Sequence, residues 1–167
     1  MARSEIVIFH AGALGDFVLT LHLLAGIKAA NPNDDIHIVA RSSLLPWAIE
    51  HGGAYGGSSF HSPFVQSLFS ASYDANHSPP RRPHRVSKII SFVGQPGDVF
   101  NRNIAAYWAA EPVVIDPNPA PTHSAQPIVA QWREELIAHG VRVADRCVWN
   151  PHFPDSFRTR VRSDLRS

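Results

Sequence analysis

The chain has 167 residues, 44% of them apolar, and a formal net charge of +1. That length carries one domain with a proper hydrophobic core, and the composition excludes a disordered chain. A charge so near zero gives no general footing for nucleic acid or a membrane surface. Cys147 is the single cysteine, so no intrachain disulfide forms and a reducing compartment is expected. The apolar run at residues 6–9 is cut by a glycine-rich turn and is too short for a signal sequence. The stretch 17–30 contains His22 and Lys28 and lies between Asp16 and Pro32; it is too short and too interrupted to span a membrane. A soluble cytoplasmic protein is expected.

Residues 6–9 (IVIF) form a continuous β-prone run ending in small residues, which predicts a strand buried on both faces. With its flanks this first strand covers residues 5–10 and is expected to be central. Residues 12–15 predict a tight turn, and Asp16 can cap the helix that follows. Phe17, Leu21, Leu24 and Ile27 or Lys28 recur at helical spacing, and Asn31-Pro32 ends the helix. Residues 36–40 predict a second strand. Ser42 or Ser43 is placed to cap a second helix running to about Glu50 and closed by Gly52-Gly53. Strand–helix–strand–helix order predicts a parallel sheet with right-handed crossovers.

The middle of the chain is less regular. Residues 58–61 predict a short strand, 64–69 a short helix, and 76–85 (NHSPPRRPHR) a basic, proline-rich loop. A strand at 88–93, a helix at 98–110 and a strand at 112–115 follow. Four prolines make 116–127 a loop. Residues 126–139 read as a helix stopped by Gly140. From Val141 onward come Pro151 and Pro154, then a new helix start near Asp155 or Ser156 with no stop signal after it. The chain shows no internal repeats.

The chemistry-bearing segment is the first strand, turn and helix, IVIFHAGALGDFVLTLHLLAGIKAANP. A glycine-rich turn between strand and helix places free backbone N–H groups and a positive helix end at the C-terminal edge of the sheet, where ligands of open α/β sheets bind. A dinucleotide fingerprint does not fit: in the register H-x-G-x-x-G, His10 takes the place of the first glycine, and the second strand ends in Ala40-Arg41 rather than an acid. A P-loop does not fit either, because Gly15-Asp16-Phe17 replaces G-K-[ST]. Asp16 would repel a phosphate at that position. The turn is therefore built to hold a carboxylate at a helix N-terminus. An N-cap and a general base both suit Asp16, and the spacing leaves both open.

The same segment resembles the opening of the ADP-heptose:lipopolysaccharide heptosyltransferases, glycosyltransferase family 9. Gly12, Ala13, Leu14, Gly15 and Asp16 match the family's G-x-x-G-D turn. Leu19, Thr20, Leu23 and Leu24 match its first helix, Ala29-Ala30-Asn31-Pro32 the helix end, and residues 36–40 the next strand. The stretch ISFVGQPGDVFNRNI resembles a later strand-to-helix passage of some members. The likeness covers roughly residues 5–140 and is strong over 5–53.

The resemblance implies a doubly wound, Rossmann-like parallel sheet forming the N-terminal half of a GT-B glycosyltransferase. Residues 1–145 would be the acceptor-side domain, and 146–167 the interdomain linker and the start of a second domain. It implies transfer of a sugar with inversion from a nucleotide-sugar of ADP-heptose type, in lipopolysaccharide biosynthesis, with no metal and no cofactor. The acceptor is a lipopolysaccharide-core or related glycan, lipid-linked or free, and the setting is cytoplasmic, with peripheral attachment at the inner membrane as one option. Asp16 takes the role of general base, with Gly12, Ala13, Leu14, Gly15, His10 and Arg41 as acceptor-side residues. Family members are about twice as long, and the donor nucleotide binds mostly on the half not represented here, so this chain is expected to be inactive alone. The alternative is a non-catalytic Rossmann-type nucleotide-binding module, against which the missing fingerprint glycine and the charge of Asp16 both count.

The remaining candidates are weaker. Ten histidines form no H-x-x-x-H pair or Cys–His cluster, so no metal site is expected. His10 flanks the turn, either facing the cleft or packed as a strand-end side chain. Arg81, Arg82, Arg85 and Lys88 form the densest basic cluster, read as a solvated loop or as a contact for anionic acceptor groups. Arg41 is better placed, at the end of the second strand. Asp98 and Asp116 are expected to cap or end elements. Trp47, Trp108 and Trp132 are expected in the core. The tail arginines 158, 160, 162 and 166 belong to a helix whose apolar stripe, Phe157, Val161 and Leu165, would face a partner domain.

Overall fold

The computed structural model describes residues 4–75, 85–117 and 126–145. Most of the proline-rich loops expected at 76–85 and 116–127, and the whole linker at 146–167, lie outside the described residues.

Five strands form one sheet in the order β3-β2-β1-β4-β5, every pairing parallel. They are β1 (Ser4–His10), β2 (Asp35–Ala40), β3 (Gly56–Ser59), β4 (Arg85–Phe92) and β5 (Val113–Val114). The helices are α1 (Leu14–Ala30), α2 (Leu45–His51), α3 (Pro63–Ser67), α4 (Val99–Trp108) and α5 (Ile128–Ala138). Period-two alternation along the strands divides the core into two layers. Ile6, Ile8, Ile36, Ile38, Ile90 and Phe92 point to the face packed with Phe17, Leu21, Leu24 and Ile27 of α1, Ala48 of α2 and Trp132 and Leu136 of α5. Val7, Phe9, Val39 and Ile89 point to the other face, against Val65 of α3 and Phe100 and Ile104 of α4. The sheet is thus doubly wound, as expected, and β1 is central. Such burial on both faces requires apolar residues at nearly every strand position, which explains the unbroken runs of the sequence.

Several element boundaries differ from the sequence reading. Asp16 does not cap α1: the helix begins at Leu14, and Ala13 holds the N-cap position with extended angles (φ −69°, ψ 173°) and no side-chain bond. Gly15 is therefore inside the first helical turn, and Asp16 sits in that turn rather than before it. Neither Ser42 nor Ser43 caps α2. Ser42–Leu44 form a 3-10 turn, Leu44 holds the N-cap position, and Pro46 occupies the first turn, where its missing N–H costs nothing. The Ser42 hydroxyl instead donates to Ser59 Oγ, 2.9 Å away. The third strand lies at Gly56–Ser59 rather than 58–61, and β4 begins at Arg85 rather than 88.

Other signals act as read. Ser62 accepts from the Val65 amide to cap α3, and Asp98 accepts from the Asn101 amide to cap α4. Gly140, at φ +72°, follows α5 in the left-handed region that glycine tolerates best. Trp132 is buried, while Trp47 and Trp108 pack half-buried against the two core layers.

The topology fixes where a ligand belongs. From β1 the chain crosses by α1 to β2 on one side, and later arrives at β4 on the other side of β1. The C-terminal ends of β1 and β4 therefore lie side by side, with His10 paired to Phe92. In open α/β sheets the crevice outside this switch point is the ligand edge.

Candidate functional site

Two loops leave the sheet at the switch point, one after β1 and one after β4. They carry the same motif: Gly12-Ala13-Leu14-Gly15-Asp16 and Gly94-Gln95-Pro96-Gly97-Asp98. The shared G-x-x-G-D pattern is visible in the sequence once the two strand ends are aligned. The likeness is structural too. In each loop the first glycine is crowded by its own motif's aspartate, and a Cβ added there would meet Asp16 Oδ2 or overlap Asp98 Oδ2. In each, the second glycine borders open space, with no atom within 4 Å of an added Cβ.

The two aspartates are used differently. Asp98 Oδ1 accepts from the Asn101 amide at 2.8 Å and Oδ2 from the Gln95 amide at 3.0 Å. Asn101 reinforces that loop by donating to the carbonyls of Val93 and Gln95. The second loop is thereby a closed, self-satisfied turn, with Gly94 at φ +70° and Gly97 at φ +76°. Asp16 has no such partners: among the described residues no hydrogen bond or ion pair reaches its carboxylate, which is half-buried. Its backbone carbonyl accepts from Thr20 Oγ1 at 3.0 Å. The first helical bond runs from the Phe17 amide to the Ala13 carbonyl, 3.0 Å, so the amides of residues 14–16 have no partner within the helix. A carboxylate acceptor thus stands beside backbone donors at a 17-residue helix's positive end.

The structure brings three of the candidate residues together around Gly12. A Cβ on residue 12 would stand 2.9 Å from His10 Cε1 and 3.2 Å from both His10 Nε2 and Asp16 Oδ2. His10 is 1% exposed, wedged between Phe17 and Phe92 with ring centroids 5.3 and 5.9 Å away. Of the two placements open to it, this is the packed strand end. Its Nδ1 is buried without a hydrogen-bond partner among the described residues. Burial pushes its pKa down to about 4; the Asp16 carboxylate opposes this and the Arg41 guanidinium adds to it. His10 is therefore the neutral floor under the turn. Arg41, immediately after β2, is exposed and close enough to act on His10 electrostatically. Ala13, Leu14 and Gly15 form the exposed lip, with Leu14 58% accessible.

Of the basic cluster, Arg81 and Arg82 lie outside the described residues, while Arg85 opens β4 at the opposite edge from the turn. Among the described residues no group of three or more His, Cys, Asp or Glu could hold a metal ion. No helix is long and apolar enough to cross a membrane.

A solved structure described as a glycosyl transferase family 9 protein, from Veillonella parvula DSM 2008, is similar to this chain. The TM-score is 0.59 at 13% identity, and the match covers 98% of this chain and 49% of that one. At that identity the likeness is one of fold, and this chain spans about half the length of the protein it matches. No protein-family model matches the chain, and no curated protein matches it. A five-stranded parallel sheet flanked by helices on both faces is a Rossmann-type fold, of the GT-B-like kind.

Proposed function

We propose that the chain is the acceptor-side domain of an inverting glycosyltransferase of heptosyltransferase type. The observation that carries this reading is the contrast between the two G-x-x-G-D loops. One aspartate is spent on capping its loop; the other, Asp16, is left unbonded at the ligand edge. A carboxylate with no hydrogen-bond partner at the ligand edge is sterically free to meet an acceptor hydroxyl as a general base. In this reading Asp16 takes the proton from an acceptor hydroxyl as that oxygen attacks the anomeric carbon of the donor sugar. The bond from that carbon to the nucleoside diphosphate breaks with inversion. Gly12, Ala13, Leu14 and Gly15 present backbone donors to the acceptor, His10 supports the turn from below, and Arg41 meets an anionic group of the glycan. The donor, of ADP-heptose type, would be held by a second domain, and transfer needs both walls of the cleft. The acceptor is a lipopolysaccharide-core or related glycan, lipid-linked or free, met on the cytoplasmic side of a membrane.

The test is a titration followed by backbone amide shifts. A core oligosaccharide acceptor is expected to perturb residues 10–16 and 41, and Asp16→Asn to weaken that response without disturbing the fold. ADP-heptose, ADP and NAD are expected to leave the turn unperturbed, and the chain alone to transfer no sugar. Binding of ADP or NAD at the turn, with no response to saccharide, would replace this reading with a nucleotide-binding module.

A further inference from the structure

Aligned on their motifs, the loops after β1 and β4 pair Gly12 with Gly94, Ala13 with Gln95, Gly15 with Gly97, Asp16 with Asp98 and Leu19 with Asn101. They hold different conformations. After β4 both glycines have positive φ, +70° and +76°, and the helix starts directly after the aspartate, which accepts from the Gln95 and Asn101 amides. After β1 neither glycine has positive φ, and the helix starts two residues before the aspartate.

Nothing in the conformation that Gly15 holds calls for glycine. Its φ is not positive, no atom lies within 4 Å of an added Cβ, and inside a helix alanine is the better residue. The other conformation does call for it. There its counterpart Gly97 stands at +76°, in the left-handed region that glycine enters without steric cost and alanine does not. The hydrogen bonds of the two forms also exchange one for another. Adopting the second form gives up the first helical bonds, such as that of the Phe17 amide to the Ala13 carbonyl. In return the Asp16 carboxylate accepts from the Ala13 and Leu19 amides, as Asp98 does from their counterparts.

Residue 19 separates the loops. Asn101 Nδ2 clamps the β4 loop by donating to the Val93 and Gln95 carbonyls at 2.9 and 3.1 Å. Leu19 has no donor and is 37% exposed, so the β1 loop lacks that clamp.

We propose that the Asp16 turn is a two-state switch, with Gly15 as its hinge and Leu19 as the positioning residue that keeps the capped state in the minority. In the helical state the carboxylate is offered at the ligand edge. In the capped state residues 14–16 leave the helix, Asp16 becomes its N-cap, and the Ala13 and Leu19 amides occupy the carboxylate. A saccharide hydroxyl that donates to the carboxylate binds the helical state and draws the population toward it. That last step rests on the proposed reading of Asp16; the switch itself rests on the two loops.

The experiment follows the backbone amides of the full chain by NMR. Relaxation dispersion is expected at residues 13–19 and not at 95–101, and a flat profile at 13–19 overturns the switch. Leu19→Asn supplies the missing clamp. It should slow hydrogen exchange at the Ala13 amide by about tenfold or more, because that amide gains an acceptor only in the capped state. Adding Gly15→Ala to Leu19→Asn should return the exchange to its native rate, since alanine resists the positive φ. A helix merely weakened by Leu19→Asn would quicken exchange over residues 17–20 and leave Ala13 unprotected, which overturns the proposal. Protection that survives Gly15→Ala overturns the hinge. A core oligosaccharide tests the role of Asp16 separately. It should bind Leu19→Asn at least threefold more weakly than the native chain, and at saturation remove the protection at Ala13. Protection at Ala13 with an undiminished saccharide response keeps the switch and overturns Asp16 as the acceptor contact.

Discussion

The His10 imidazole and the Asp16 carboxylate meet over Gly12, each presenting an atom 3.2 Å from the point where a side chain at residue 12 would begin. Gly12 is thus a matter of space, not of backbone angle, since its φ is not among the positive ones. Gly12→Ala should push the imidazole or the carboxylate aside and destabilise the domain by about 1–3 kcal/mol, the usual range for overpacking. Gly15→Ala is the control. It sits in the first turn of α1 with nothing within 4 Å of the new methyl, and should stabilise by about 0.5–1 kcal/mol through helix propensity. Urea unfolding of the two variants checks both signs.

Burial holds His10 neutral in the folded chain, with its pKa lowered from 6.5 to about 4. The unfolded chain binds the proton first as pH falls, so folding loses stability between the two values. The stabilisation is complete above about pH 6.5 and is lost as pH drops toward 4. From pH 7 to pH 5 this one group should cost about 2 kcal/mol. His10→Gln should flatten the profile over that window. Because Asp16 raises the His10 pKa and Arg41 lowers it, Asp16→Asn should move the imidazole titration lower and Arg41→Ala higher. Both shifts can be read from histidine ring resonances.

Much of this architecture was legible because β1, β2 and β4 are buried on both faces and so advertise themselves as apolar runs. The third strand was harder to place. Its sequence, Gly56-Gly57-Ser58-Ser59, carries no hydrophobic signal, and it is a strand because β2 offers it a ladder. Asp16 was misplaced by one helical turn because glycine at 15 read as loop, whereas the helix accepts it. The paired loops could have been found from the repeated G-x-x-G-D, but nothing in the motif tells which aspartate is spent. That depends on the Asn101 and Gln95 amides, which bond Asp98 in one loop and have no counterpart at Asp16 in the other. The His37–Ser58 hydrogen bond was not legible at all, since the two residues lie on strands separated by a whole crossover.

The two aspartates should separate cleanly in mutation. Asp98→Ala removes a cap bonded to the amides of both Asn101 and Gln95, and should cost about 1–2 kcal/mol. Asp16→Ala removes only a favourable charge near a helix end, worth about 0.3–1 kcal/mol. Unfolding midpoints give the comparison. An Asp16→Ala loss as large as that of Asp98→Ala would show that Asp16 is a structural residue, and would remove the physical basis for giving it the proton.

Asn31 joins the end of α1 to the segment that follows α5. It is 6% exposed. Its Nδ2 donates to the Ile27 and Arg142 carbonyls at 2.7 and 2.9 Å, and its Oδ1 accepts from Arg142 Nε at 3.1 Å. Two residues on, the Ala144 amide donates to the Gly26 carbonyl at 3.0 Å. Residues 141–145 are therefore strapped along α1 by polar contacts that an apolar side chain at 31 cannot replace. Asn31→Ala leaves the Arg142 carbonyl without this donor and should cost about 1–3 kcal/mol. Asn31→Asp is the sharper test. It keeps an acceptor for Arg142 but turns the donor that faced two carbonyls into an oxygen, so it should be no better than alanine, despite the added attraction between carboxylate and guanidinium. Both variants should speed hydrogen exchange at the Ala144 amide while leaving Ile8 and Ile38 of the central strands protected. Unchanged protection at Ala144 would mean that the half-buried Val143, packed against the core, holds the strap without Asn31.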